Sequence, residues 1–307
     1  MESIKLLQFR AAYNLPVHVG IETKIFKQHG IELEIAYTPS ASYTTQALKE
    51  GLCDIGHTGA DDVIAAVEAN DEAELFLFMG IHSGLFSLIA APGFSSIDSL
   101  RGKPIGVDAK TSGFALVMER LLRARGFVRD DYRPVEIGGW ESRYRALMAR
   151  EIAATLLTEP FVGDVLRCGG HLMATASEMI PTYLGTCGAT SRSWAAQHRD
   201  RLIRYIRAYV TATQWCFEAK NRPACLDMLA RHNEIKGPAA EHTLDTLLDP
   251  EQGLYPKAAP NISGVKAALE VRSEMGYLAR PLAPVEKYVD LGYYEKALSN
   301  SNMASQI

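Results

Sequence analysis

His57 lies in the stretch Cys53-Asp54-Ile55-Gly56-His57-Thr58-Gly59-Ala60-Asp61, with Asp61 and Asp62 one turn further on. An imidazole beside carboxylates is a side-chain set that moves protons near neutral pH. The competing role is a neutral imidazole that hydrogen-bonds a ligand or caps a helix. Arg10 follows an apolar stretch and offers a planar, two-pronged cation to a carboxylate or sulfonate, or to a nearby acid such as Asp61. Trp140 follows Gly138 and Gly139, where an indole either stacks on a flat ligand or packs into a core.

Two strand-to-helix turns position these groups. The first is the His57 stretch; the second is Lys103-Pro104-Ile105-Gly106-Val107-Asp108-Ala109-Lys110-Thr111-Ser112-Gly113. Each is a short apolar strand running through glycine and hydroxyl residues into a helical pattern. Such a turn aims free backbone N–H groups, at the positive end of a helix, into the space above the strand. Two of them predict two lobes facing one small ligand, with contacts from loops at strand C-terminal ends. From the first lobe these are Arg10, Tyr13, Asn14, Ser40, Ser42, Tyr43, His57, Thr58 and Asp61. From the second they are Lys110, Thr111, Ser112, Gly113, Trp140, Arg143 and Glu159. The hydroxyls of Ser42, Thr111 and Ser112 either cap helices or help hold an oxyanion. Tyr13 and Tyr43 either complete an aromatic clamp or belong to the lobe, and Glu159 either lines the crevice floor or anchors the lobe.

The elements follow a β-α-β-α-β rhythm twice, which argues for α/β lobes with mostly parallel sheets. In the first, strands are expected at 4–9, 31–37, 54–56 and 75–81, with a helix at 61–69. In the second, strands are expected at 104–107, 135–137 and 154–157, and helices at 114–125, 142–150 and 161–168. The chain is expected to cross back near 183–190, then to run mostly helical, with strong patterns at 201–219 and 263–276. Lobe 1 is thus 1–84 with 191–307, and lobe 2 is 85–190, joined by short hinge strands near His82.

At 307 residues, 47% apolar and 22% charged, the chain suits two α/β lobes of a globular protein. A net charge of -4 gives no footprint for nucleic acid, and no apolar stretch reaches the ~18 to 20 residues of a membrane span. The five cysteines show no C-x-x-C spacing, so free buried thiols are expected, with no metal and no cofactor. The first residues, Met1-Glu2-Ser3-Ile4-Lys5-Leu6-Leu7, read as a strand and not as a secretory signal. The compartment reads as periplasmic if an export signal has been removed and cytoplasmic if Met1 is the native start.

Several stretches resemble bacterial ABC-transporter solute-binding proteins, in the nitrate/sulfonate/taurine and thiamine-pyrimidine branch. They are Leu15-Pro16-Val17-His18-Val19-Gly20-Ile21-Glu22, Ala47-Leu48-Lys49-Glu50-Gly51-Leu52-Cys53-Asp54, Leu100-Arg101-Gly102-Lys103-Pro104 and Thr158-Glu159-Pro160. Tyr288-Val289-Asp290-Leu291-Gly292 resembles that family's closing segment. The resemblance implies a type II periplasmic-binding-protein-like fold, a small-molecule ligand and an ABC permease as partner. Locally, Gly138-Gly139-Trp140-Glu141-Ser142-Arg143 is similar to a stretch of aryl-sulfinate desulfinase, but Leu15 stands where that enzyme needs cysteine.

The leading expectation is therefore a protein that closes on a small organic anion, a sulfonate or aromatic carboxylate, and delivers it to a permease. The alternatives are a cofactor-independent lyase or hydrolase using His57 and Arg10 on an aromatic acid, and a cytoplasmic ligand sensor.

Overall fold

The alternating apolar and glycine-punctuated segments form two sheets of five strands each. The computed structural model describes residues 1–69 and 74–299; the expected lobe-1 residues 70–73 and 300–307 lie outside these. The first sheet contains β1 (Glu2–Gln8), β2 (Ile31–Tyr37), β3 (Ile55–Gly59) and β4 (Leu75–His82). The second contains β5 (Ser87–Ala90), β6 (Pro104–Val107), β7 (Arg133–Glu136), β8 (Ala154–Leu157) and β9 (His171–Thr175). A tenth strand, β10 (Thr186–Ser191), returns to the first sheet, giving the orders β2-β1-β3-β10-β4 and β7-β6-β8-β5-β9.

Pairing is parallel among β1, β2 and β3 and among β6, β7 and β8, while β10 and β5 run antiparallel to their neighbours. Because β10 regains the first sheet at Thr186, the return to lobe 1 comes before the expected residue 191. The same pairing carries β3 on to Gly59, so His57 and Thr58, expected in a turn, are strand residues. All eight residues of β4 are buried, as its apolar run up to His82 requires. In edge strand β2, buried Ile31 and half-buried Leu33 and Ile35 alternate with exposed residues.

Helices cover both sheets. Arg199–Phe217 buries Leu202, Ile203, Tyr205, Ile206, Tyr209 and Val210, the three- and four-residue spacing of one helical face. Gly113–Arg123 begins on the Ser112 cap, which accepts from the Ala115 amide, and is followed by Gly126 at φ +79°, the left-handed geometry glycine adopts without strain. Ile262–Glu274 packs on both Ala60–Glu68 of the first lobe and Gly113–Arg123 of the second.

The lobes are joined where β4 leaves His82 and where the chain re-enters at Gly185. His82 Nδ1 accepts the Gly84 and Leu85 amides at 3.1 and 3.2 Å, and its carbonyl accepts the Gly185 amide at 3.1 Å. The two crossing segments touch backbone to backbone: a Cβ on Gly185 would lie 2.8 Å from Gly84 Cα. Overpacking against backbone has no flexible side chain to absorb it. Gly185→Ala is expected to cost about 1–3 kcal/mol, read as a lower urea midpoint with unchanged slope.

An inter-lobe cluster of unpartnered donors

The loop after β1 and the start of helix Trp140–Met148 bring Tyr13, Trp140 and Arg143 together between the lobes. All three are buried, at 1%, 2% and 1% exposure. The Arg143 guanidinium lies 4.4 Å from the Trp140 ring centroid. No Asp or Glu oxygen comes within 4.0 Å of it among the described residues. Burial pushes its pKa down, and the neighbouring Asp108 and Tyr13 oppose that shift. A cation held this way, charged and without a carboxylate, is costly unless something else supplies the anion.

The surrounding polar groups have no partner outside the cluster. Tyr13 Oη, Trp140 Nε1, Arg143 Nε and Thr186 Oγ1 are buried without a well-formed hydrogen bond, Tyr13 lying against Trp140 and Thr186. Burial raises the Tyr13 phenol to about 12, while Trp140, Thr186 and Arg143 nearby pull it back, so it stays a neutral O–H donor. His82, whose ring centroid lies 4.7 Å from that of Tyr13, accepts at Nδ1 and therefore carries its proton on Nε2. Burial lowers His82 to about 3, so the ring is neutral. Around this set, Phe9, Phe86, Phe114, Trp140 and Tyr183 pack mostly edge to face with centroids 4.7 to 6.5 Å apart, joining rings from both lobes.

The second group forms where helices Ala60–Glu68 and Gly113–Arg123 begin. Here Asp61 pairs with Arg272 at 2.5 Å, both side chains buried. Burial lifts Asp61 to about 6, with Arg272 opposing and Asp108 adding to the rise. The Gly113 amide, expected to be open to an anion, donates to Asp62 Oδ1 at 3.3 Å. Ser112 caps its helix and donates to Asp108. The helix start is thus satisfied by the protein's own carboxylates.

The remaining expected residues fall into three groups. Thr58 and Asn14 are buried, with Thr58 Oγ1 and Asn14 Oδ1 unpartnered, and Asn14 Nδ2 holds the Phe9 carbonyl at 2.6 Å. Glu159 anchors lobe 2: Oε2 accepts the Gly163 amide at 3.3 Å, and its carbonyl accepts the Ala12 amide at 3.4 Å. The others lie apart from the cluster. Arg10 is exposed and stacks 4.1 Å over Tyr37, pairing with neither Asp61 nor a buried anion. Ser40 caps Ala41–Lys49, with Ser42 Oγ 3.1 Å from its own, and Tyr43 is 49% exposed. Thr111 is exposed, and exposed Lys110 bonds Glu136 through its amide at 2.9 Å.

His57 departs furthest from its expected role. Its Nε2 lies 2.8 Å from Tyr205 Oη, its ring meets Tyr209 edge-on, and burial lowers it to about 3. The imidazole belongs to the packing of β3 against helix Arg199–Phe217. Cys168 is exposed, contrary to the expectation of buried thiols; the other four cysteines are buried and free.

Asp62, Asp108, Thr186 and His82 are cleft residues that the contact set above omits. Their signal is a polar residue where an apolar strand meets the crevice, which His82 and Thr186 both show. Arg272 has no such local mark, since it reaches Asp61 from 211 positions away. Removing it strands a buried carboxylate: Arg272→Met is expected to cost about 3–5 kcal/mol at pH 8, and less at pH 5, where Asp61 takes a proton. Urea titrations at the two pH values check this.

Comparison with known proteins agrees on the architecture. The alkanesulfonate-binding protein SsuA from Xanthomonas axonopodis pv. citri, solved with MOPS bound, matches at TM-score 0.76 and 16% identity over 93% of this chain and 97% of that one. The periplasmic nitrate-binding protein NrtA from Synechocystis PCC 6803 matches at TM-score 0.83 and 15% identity over 99% and 90%. At these identities the likeness establishes the two-lobe periplasmic-binding-protein fold. Proteins of Brucella abortus and Brucella melitensis, described as binding proteins, are 28% identical over 170 residues, 50% of this chain and 51% of theirs. The chain thus spans about half the length of the curated relatives it matches. No helix among the described residues is long and apolar enough to cross a membrane. The NMT1-like family model matches residues 2–230, and the chain belongs to that family.

Proposed function

We propose that the chain binds a small organic anion, of the sulfonate or aromatic carboxylate type, between its lobes and delivers it to an ABC permease from the periplasmic side of the membrane. The observation that carries this is Arg143: a buried guanidinium stacked on Trp140, without a carboxylate among the described residues, beside unpartnered Tyr13 and Trp140 donors. An anionic head group bonded there would satisfy the cation and the donors together. The aromatic rings around them favour a ligand with an apolar or planar body. The solved neighbours named for alkanesulfonate and nitrate support a small anion as cargo. The lyase or hydrolase alternative is not taken up, because His57 is enclosed by Tyr205 and Tyr209.

A thermal-shift screen of the purified protein against small sulfonates, aromatic carboxylates, sulfinates, nitrate and aminopyrimidines tests this, with mass spectrometry on each hit. A bound anion at 100 times its Kd is expected to add about 2.7 kcal/mol of stability and to be recovered unchanged. Arg143→Met is expected to lose that shift while being more stable than the parent without ligand, since it removes an unpaired buried charge. Full retention of the shift in Arg143→Met, or chemical consumption of the ligand, overturns the proposal.

A further inference from the structure

Two carboxylates from opposite lobes are bonded to the adjacent residues Gly113 and Ser112, each with one oxygen unanswered. Asp62 of the first lobe is 6% exposed; Oδ1 accepts the Gly113 amide at 3.3 Å and Oδ2 has no partner. Asp108 of the second lobe is also 6% exposed; Oδ1 accepts the Ser112 hydroxyl and Oδ2 has no partner. The approach is close enough that a Cβ on Gly113 would lie 2.6 Å from Asp61 Cβ.

The charges nearby do not balance. Facing Asp62 are Asp61 on its own helix, Asp108 beyond β6, Arg272 on helix Ile262–Glu274, Cys187 on β10 and Tyr183 just before it. Arg272 is committed to Asp61 at 2.5 Å, and Arg143 is the guanidinium that acts on Asp108 without forming an ion pair. Asp62 therefore has no cation of its own. Burial, with Asp108 and Asp61 adding to it, holds the Asp62 carboxyl well above the ordinary carboxylate range.

We propose that closing the lobes takes up a proton at Asp62, so that the closed form gives way to the open one as the pH rises. With the lobes apart, Asp62 is hydrated and ionises in the ordinary range. With the lobes together, a proton on Asp62 removes a buried charge that no cation answers and its repulsion with Asp108 and Asp61. The sign follows from linkage. A carboxyl whose affinity for protons rises on closure favours the closed state at low pH and loses that contribution as the pH climbs through its raised value. Across that window the closed-to-open ratio falls about tenfold per pH unit. The inference rests on the closing-cleft reading and adds a proton as a second ligand of the closed form.

Small-angle X-ray scattering of the full chain without added anion, from about pH 5 to about pH 9, tests it. The radius of gyration is expected to be smallest at the acid end and to rise with pH. Asp62→Asn keeps an acceptor for the Gly113 amide and is expected to stay compact across the range. Asp62→Ser, which also removes the titrating group, makes the same comparison if Asp62→Asn does not fold. A radius that does not change with pH in the parent chain overturns the proposal, as does the full rise persisting in either variant. The cargo reading fails separately: an empty anion screen with an intact scattering titration removes the cargo and leaves the proton.

Discussion

Asp61 and Gly113 touch across the cleft, and that contact permits no side chain on the second lobe's partner. It sets two helix starts, Ala60–Glu68 and Gly113–Arg123, face to face. Two positive helix ends repel unless negative groups stand between them. Asp61, Asp62 and Asp108 are those groups, and Ser112 supplies the cap. Both turns that look like anion cradles are thus spent on holding the lobes together. Arg143 is a buried cation without a carboxylate within 4.0 Å among the described residues, and the lobes close over it.

This division separates two jobs that a two-lobe protein has to perform. One patch, of carboxylates around Arg272, governs how the lobes meet. The other, of Arg143, Tyr13, Trp140 and Thr186, presents hydrogen-bond donors with nothing to bond. Asp108 belongs to both, since it faces Asp62 and also acts on Arg143. A negative ligand beside Arg143 would therefore be felt at the lobe contact through a single side chain.

The sequence carries the fold well because the fold is written in local signals. β4 is apolar up to His82, the helix at Gly113 opens on a hydroxyl cap, and Gly126 closes it. The resemblance named for the whole chain agrees with the family and the solved structures. The site was less legible, for a reason seen at His57. Strand β10, from more than a hundred residues away, extends β3 through His57 and fixes the ring against Tyr205. Local spacing cannot report a pairing of that range. Arg10, adjacent to the same loop, is exposed over Tyr37. Tyr13, Trp140 and Arg143, which the fold brings together, stand where strands hand over to helices at the crevice.

The place of β10 bears on how the chain is made. It lies between β3 and β4, so the first sheet has a missing strand at its middle until residues 186–191 exist. Those residues follow the whole of the second sheet, β5 to β9, in the chain. As the polypeptide emerges from the ribosome, the second lobe has all its strands while the first still exposes the facing edges of β3 and β4. The lobe that begins the sequence is thus the one completed last, and its unpaired edges are the surface most in need of protection during synthesis.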